Sequence, residues 1–419
     1  MSAHHLLSNA LGEVWADADH LIDGDLAGFE AEALTALRAM ESAASAGDTA
    51  EADRAAETLT HLVATQPALD QRFTAELVRL GADAARDLLE ASPADRCITF
   101  PVMFATDRAS HRRGEHTLFT ATRGPLQWGQ ASMSVPDDHR LGDIEKPRWW
   151  RLQFRRRPDR HVVADTVTPL ETGAAQTRIG DLIGRGERRA AVFIHGYNTD
   201  FDAALSRTAQ LAFDLQYPGL IVCFAWPSTG ALTGYPADED EAALSAETLH
   251  TVLTTLSGLV GPGNVSVVAH SMGCRILTDA LTRTAATTVA PPPVFDQIAL
   301  AAPDVEVELF RRRVTAFHPL VGRTTLYASS ADKALQASLR FHRHRRAGQA
   351  GPDLLVMPGL LDSIDATAMS TDFLAHSYFG DHSSVVGDLF SLLRHGHGPE
   401  QRYGLRRHDQ WWEMVPRAH

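Results

Sequence analysis

The stretch SVVAHSMGCRI, Ser266 to Ile276, reads as an apolar strand, a sharp corner at Ser271 and the first turn of a helix. A polar tip on a βα loop would be the ordinary interpretation. A nucleophile held on a strained elbow is the sharper one. An elbow of that kind is crowded, so the residues two before and two after the serine must be small. Here they are Ala269 and Gly273. The usual pattern is G-x-S-x-G, and Ala269 departs from it by one methyl group, a modest intrusion. The position of Ser271, between an apolar strand and a helix, favours the elbow.

A serine hydroxyl needs a base to take its proton, a group to orient that base, and donors for the oxyanion. The segment AVFIHGYNTDF, residues 191–201, ends a strand at His195-Gly196 and starts a helix after Asn198. The expected donors are the backbone N–H groups of Tyr197, in this loop, and Met272, just after the nucleophile. Gly196 allows the tight turn. His195 is expected to be a structural hydrogen-bonder, and Asn198 a helix cap or loop anchor. With His270, Trp226 and Asp304 they form the set of substrate-pocket candidates.

The acid should follow a later strand. TTLYASSADKAL places Asp332 in such a loop, and Asp304, in LAAPDVEVELF, is its rival. The base should come after the last strand, here read as DLLVMPG. His376, flanked by Leu374-Ala375 and Ser377-Tyr378, is favoured over His382, which sits in GDHSS as at an exposed helix start. The resulting chain order is Ser, Asp, His.

Texture divides the 419 residues into three parts. Residues 1–94 are rich in Ala, Leu, Glu, Asp and Arg, and Leu69, Phe73, Leu77, Leu80, Ala84 and Leu88 recur at helical spacing. They predict a small all-α domain for packing, as a lid or for oligomerisation, with homo-oligomerisation through it as the expected partner role. Residues 95–398 predict an α/β domain. CITFPVMFATDR, LQWGQASMSVP, WWRLQF and HVVADTV read as antiparallel strands at one sheet edge. Beyond them apolar strands alternate with helices, the pattern of a mostly parallel sheet buried on both faces. The helix after Trp226 opens with four acids in DEDE, suited to the helix dipole. Residues 399–419 are expected to lie on the surface as a C-terminal tail. The basic run FHRHRRAG, 341–348, is read as a solvated loop.

The segments VFIHGYNTDFDAALSRTAQLAFDLQYPGLIVCFAWPSTG, VSVVAHSMGCRIL, LAAPDVEVELF, LYASSADKALQAS and FLAHSYFGD, in this order, resemble the bacterial α/β-hydrolase family of unknown function 900. FPVMFATDR and SVPDDHRLGDIEKP resemble the opening of the same family domain, so the likeness spans roughly residues 98–395. The resemblance implies an α/β-hydrolase fold with Ser271, Asp332 and His376 in the motif positions. It implies esterase- or lipase-like hydrolysis, with a small-molecule ester as the expected substrate. Acyl transfer through a serine is expected to need no cofactor and no metal. The substrate is left open, an amide or thioester included. A catalytically silent scaffold serving as a binding module is the alternative.

Composition sets the limits. With 44% hydrophobic and 22% charged residues the chain is an ordinary globular one. A net charge of −13 argues against a nucleic-acid partner. Cys97, Cys223 and Cys274 are too sparse for a disulfide framework or a zinc site. The sequence shows no signal-peptide pattern and no run of about 18 apolar residues, so a cytoplasmic protein without a membrane span is expected.

Overall fold

In the computed structural model the described residues are 32, 33, 35, 36, 39, 55, 58, 62, 97–114, 116–136, 162–229, 235–287, 293–332, 335, 344–352, 354–369 and 382–415. The chain divides into two compact units, Met1–Arg96 with Lys146–His161, and Cys97–Glu145 with Val162–His419. In the first unit the described residues are helical. Ala33, Ala36 and Ala55 are buried while Glu32, Thr35 and Thr58 are exposed. The rest of the helical domain expected over 1–94, and the strand expected at WWRLQF, lie outside the described residues.

Among its described residues the second unit is built on an 11-stranded sheet. Its strands are β1 (Cys97–Arg113), β2 (His116–Pro136), β3 (Val163–Leu170), β4 (Ala190–Ile194), β5 (Leu220–Phe224), β6 (Val265–His270), β7 (Phe295–Ala301), β8 (Val321–Ala328), β9 (Asp362–Asp365), β10 (Leu405–Arg407) and β11 (Trp412–Met414). Their spatial order is β10-β11-β9-β8-β7-β6-β4-β5-β1-β2-β3. From β1 through β5, β4, β6, β7, β8 and β9 to β11 every pairing is parallel. β2 and β3 extend one edge antiparallel, and β10 closes the other.

Among the described residues of this unit the helices are α1 (Thr172–Arg185), α2 (Phe201–Asp214), α3 (Tyr235–Val260), α4 (Met272–Thr287), α5 (Val307–Phe317) and α6 (His382–His395). β4 is AAVFI, buried at every position, as a strand covered on both faces must be. On one face Val192, Ile194, Val267, Ala269 and Leu300 meet Leu249 and Leu253 of α3, Ile276 of α4 and Phe310 of α5. On the other, Phe193, Val268 and Ala299 meet Val385, Leu389 and Leu392 of α6. Phe201, Ala204 and Leu205 of α2 pack with Phe104 and Cys223 on that second side. Among the described residues no helix is long and apolar enough to cross a membrane.

β4 and β6 are neighbours, yet the chain leaves them in opposite directions. From β4 it passes through α2 to β5, and from β6 through α4 to β7. Such a reversal is where open α/β sheets bind ligands at the carboxyl ends of their strands.

Two expectations are corrected. DLLVMPG is not the last strand. Leu355 and Met357 are buried, but the chain turns at Gly359 (φ 78°), and the pairing with β8 falls to Asp362–Asp365. Nor do the described residues 399–415 lie as a tail. They contribute β10 and β11, and Met414 is 1% exposed.

Candidate active site

Ser271 follows the last residue of β6 and precedes the first of α4. Its φ is 49°, in the left-handed region that non-glycine residues avoid. The backbone is held there by local bonds. Ser271 N–H donates to Ala301 O (2.9 Å), and Ser271 O accepts from the N–H groups of Cys274 (3.0 Å) and Asp304 (3.3 Å). Gly273 is required by the same corner, since a Cβ there would lie 2.5 Å from His195 O and 2.9 Å from Ile194 O. Ala269 is wholly buried in β6, paired with Ile194 and Leu300 across the sheet.

The loop after β4 closes over this corner. A Cβ on Gly196 would lie 2.7 Å from His270 Nδ1 and 3.1 Å from Ser271 Cβ. Only glycine lets the segment 195–197 approach the serine so closely. Asn198 next to it also has a positive φ, 56°, which Asn tolerates better than most side chains. The cap of α2 is Asp200, whose carboxylate accepts from Ala203 N–H at 2.7 Å. Met272 opens α4, so its N–H has no acceptor within the helix.

His195 is 2% exposed, with its ring nitrogens beside two carbonyls, Nδ1 at 2.8 Å from Gly196 O and Nε2 at 3.1 Å from Trp226 O. Burial, then the charge of Arg108, lower its pKa to about 3. The gap below an ordinary histidine keeps the ring neutral at pH 7. Trp226 is wholly buried, stacks on the His195 ring at 5.1 Å between centroids, and donates its indole N–H to His195 O (2.8 Å). It braces the loop from below and presents no surface to a pocket. His270 is partly buried, and desolvation first, then Arg207, lower it to about 4.

Asp304 and Asp332 are both buried but differently engaged. Arg346 Nε pairs with Asp304 Oδ1 at 3.1 Å, and Tyr235 O–H donates to its Oδ2 at 2.5 Å. Tyr235 in turn meets Tyr197 edge to face, with ring centroids 5.4 Å apart. Asp332, 6% exposed in the loop beyond β8, accepts from Leu335 N–H through Oδ1 at 2.9 Å. His376 lies outside the described residues. His382 is the first residue of α6.

Several residues around the site were not singled out by the sequence. Arg108 of β1 is 1% exposed and bonds to the loops after β4 and β5. Ser228 donates to Asp238 Oδ2 (2.6 Å), and Thr229 N–H donates to Asp238 Oδ1 (2.8 Å). Asp238 came from the acidic run read only as a helix start. Arg346 came from the basic run read as a solvated loop, whereas it is 4% exposed and paired. In each case the residue type alone signalled solvent, and only the partner explains the burial.

The family described as alpha/beta hydrolase of unknown function, number 900, matches residues 171–394. The chain belongs to this family. Its fold is therefore the α/β-hydrolase fold, and the match runs from the start of α1 to the end of α6. No curated protein matches the chain. Among solved structures, the product of the gene lin2722 from Listeria innocua is 11% identical with a TM-score of 0.34, over 55% of this chain and 99% of its own. The AbyA5 wild-type structure is 14% identical with a TM-score of 0.29, over 83% of each chain. A bacterial heroin esterase is 13% identical with a TM-score of 0.27, over 70% of this chain and 72% of its own.

Proposed function

We propose that this α/β hydrolase is a serine esterase that cleaves a carboxylic ester through an acyl-enzyme on Ser271. The observation that carries the reading is the backbone of Ser271, left-handed at φ 49° at the end of β6, with Gly196 packed against its Cβ. Such a conformation costs about 1–3 kcal/mol and persists where the surroundings over-determine it, typically at a functional site. Family membership supports hydrolysis as the reaction type.

In the proposed mechanism His376 takes the proton from Ser271 Oγ as the oxygen attacks the ester carbonyl carbon. Asp332 orients the imidazole and stabilises its charged form. The N–H groups of Tyr197 and Met272 bind the oxyanion, each worth about 3 kcal/mol in comparable sites. The intermediate collapses, the C–O bond to the alcohol breaks, and His376 returns the proton to the leaving oxygen. Water, deprotonated by His376, then releases the acid. Asp332 is preferred over Asp304 because Arg346 and Tyr235 already engage both oxygens of Asp304. His376 takes the base role from chain order.

Hydrolysis of p-nitrophenyl butyrate tests the reading. Ser271→Ala should abolish turnover, and Asp332→Asn should lower kcat by roughly 10⁴. Asp304→Asn should act on stability instead, since it unbalances a buried pair. Turnover that survives Ser271→Ala at the wild-type rate would overturn the proposal.

A further inference from the structure

Arg108 stands out among the polar groups the mechanism leaves unused. It lies in the strand interior where a hydrophobic residue would be expected, and it is 1% exposed. The β1–β2 register slips between Thr106 and Arg108 and again between Arg108 and Ser110. Such bulges re-aim a side chain. The re-aimed guanidinium donates Nη2–H to Thr199 O (2.8 Å) and Nη1–H to Ser228 O (3.2 Å) and Thr120 O (3.2 Å).

Thr199 belongs to the loop that carries Gly196 and Tyr197, and Ser228 to the loop after β5. The same two residues are tied a second way. Thr199 N–H donates to Ser228 Oγ (3.3 Å), and Ser228 O–H donates to Asp238 (2.6 Å). The loop over Ser271 is thus gripped from β1 by a cation and from α3 by a carboxylate. Among the described residues the hydrogen bonds of the guanidinium all go to neutral oxygens. Burial lowers its pKa to about 10, so it stays charged at neutral pH. A buried charge bonded only to carbonyls is a poor device for stability compared with an apolar side chain of similar volume. It is a good device for holding a loop in one place.

We propose that Arg108 is a positioning residue that fixes the loop 196–199, and with it the Tyr197 N–H, over Ser271. The inference rests on the esterase reading for its kinetic consequence but not for its structural one. The effect should therefore appear in the transition state and not in substrate binding, as a lower kcat at unchanged KM.

The test compares wild type, Arg108→Lys, Arg108→Met and Ser228→Ala, with p-nitrophenyl butyrate kinetics, thermal unfolding and amide hydrogen exchange of residues 196–200. Arg108→Lys keeps the charge but cannot span the carbonyls, and should fold, exchange faster across 196–200, and lose roughly 10- to 100-fold in kcat with KM within about twofold. Ser228→Ala should show the same pattern more weakly. Millimolar guanidinium should restore part of the rate of Arg108→Met. Wild-type kcat in Arg108→Lys, a loss confined to KM, or a Lys variant that does not fold while Ser228→Ala keeps full kcat would overturn the proposal. If the wild type shows no Ser271-dependent turnover, the esterase reading fails by itself. The exchange data then decide: faster exchange across 196–200 in Arg108→Lys supports the grip, and unchanged exchange refutes it.

Discussion

At Ser271 the corner is shaped by what its neighbours lack. Gly273 lacks a side chain because two carbonyls stand where a Cβ would be, and Gly196 lacks one because Ser271 and His270 do. The small-x-Ser-x-small pattern was visible in sequence because it is set by local crowding within a few residues of the turn. Gly196→Ala should force the loop away from the serine, since the obstruction at 3.1 Å is Ser271 Cβ, which has no freedom to yield. A displacement of about 1 Å can lower turnover as much as 100-fold. Ester kinetics on the folded variant check this, and unchanged kcat would mean that the contact is slack.

His195 gives the fold a pH dependence. Its pKa falls from an ordinary 6.5 to about 3 on folding, chiefly through burial and then through Arg108. The unfolded chain therefore binds the proton first, and stability rises with pH across that window. The contribution is complete above about pH 6.5 and is lost on descending toward pH 3, by ~1.4 kcal/mol per pH unit. Between pH 6.5 and 5 the loss is about 2 kcal/mol. Urea unfolding should show it, with a flatter pH dependence in His195→Gln. An identical slope in the variant would place the proton uptake elsewhere.

Elements differed in how much of themselves they declared. β4, β6 and β7 are short apolar runs bounded by turns, and their alternation with helices identified the parallel sheet. The C-terminal strands gave no such signal. LRR and WEM are too short and too polar for periodicity to mark them, and they become strands only because β9 offers an edge. DLLVMPG misled for the opposite reason. It is apolar because Leu355 and Met357 fill the core from an irregular segment, not because it pairs. The segment around Arg402 is also tied to α6. Arg402 Nη1 lies 3.0 Å from Asp388 Oδ2, both side chains are wholly buried, and Tyr327 O–H donates to the same oxygen at 2.6 Å. Desolvation raises the Asp388 pKa even with its partner in place. Arg402→Met should destabilise by about 3–5 kcal/mol, because it leaves the carboxylate buried and uncompensated. Arg402→Met combined with Asp388→Leu should recover much of that. Urea midpoints distinguish the two, and a single variant within 0.5 kcal/mol of wild type, on the order of a neutral surface change, would show the pair to be dispensable.

For the whole molecule, the decisive feature is that the strand order reverses at β4 and β6, which brings the loop after β4 against the corner at Ser271. The corner at Ser271 and the loop that approaches it could be read from sequence because each follows a recognisable strand, β6 and β4. The supporting shell of Arg108, Asp238, Tyr235 and Arg346 could not, because long-range partners give a charged residue no local mark of burial. The proposed esterase reaction requires an activated hydroxyl at residue 271. The most direct test is reaction of the full chain with a fluorophosphonate probe, followed by peptide mapping. The account predicts one phosphonylated site at Ser271, absent in Ser271→Ala and strongly slowed in His376→Ala. A wild-type chain left unlabelled at Ser271, or labelled there equally fast without His376, would contradict it.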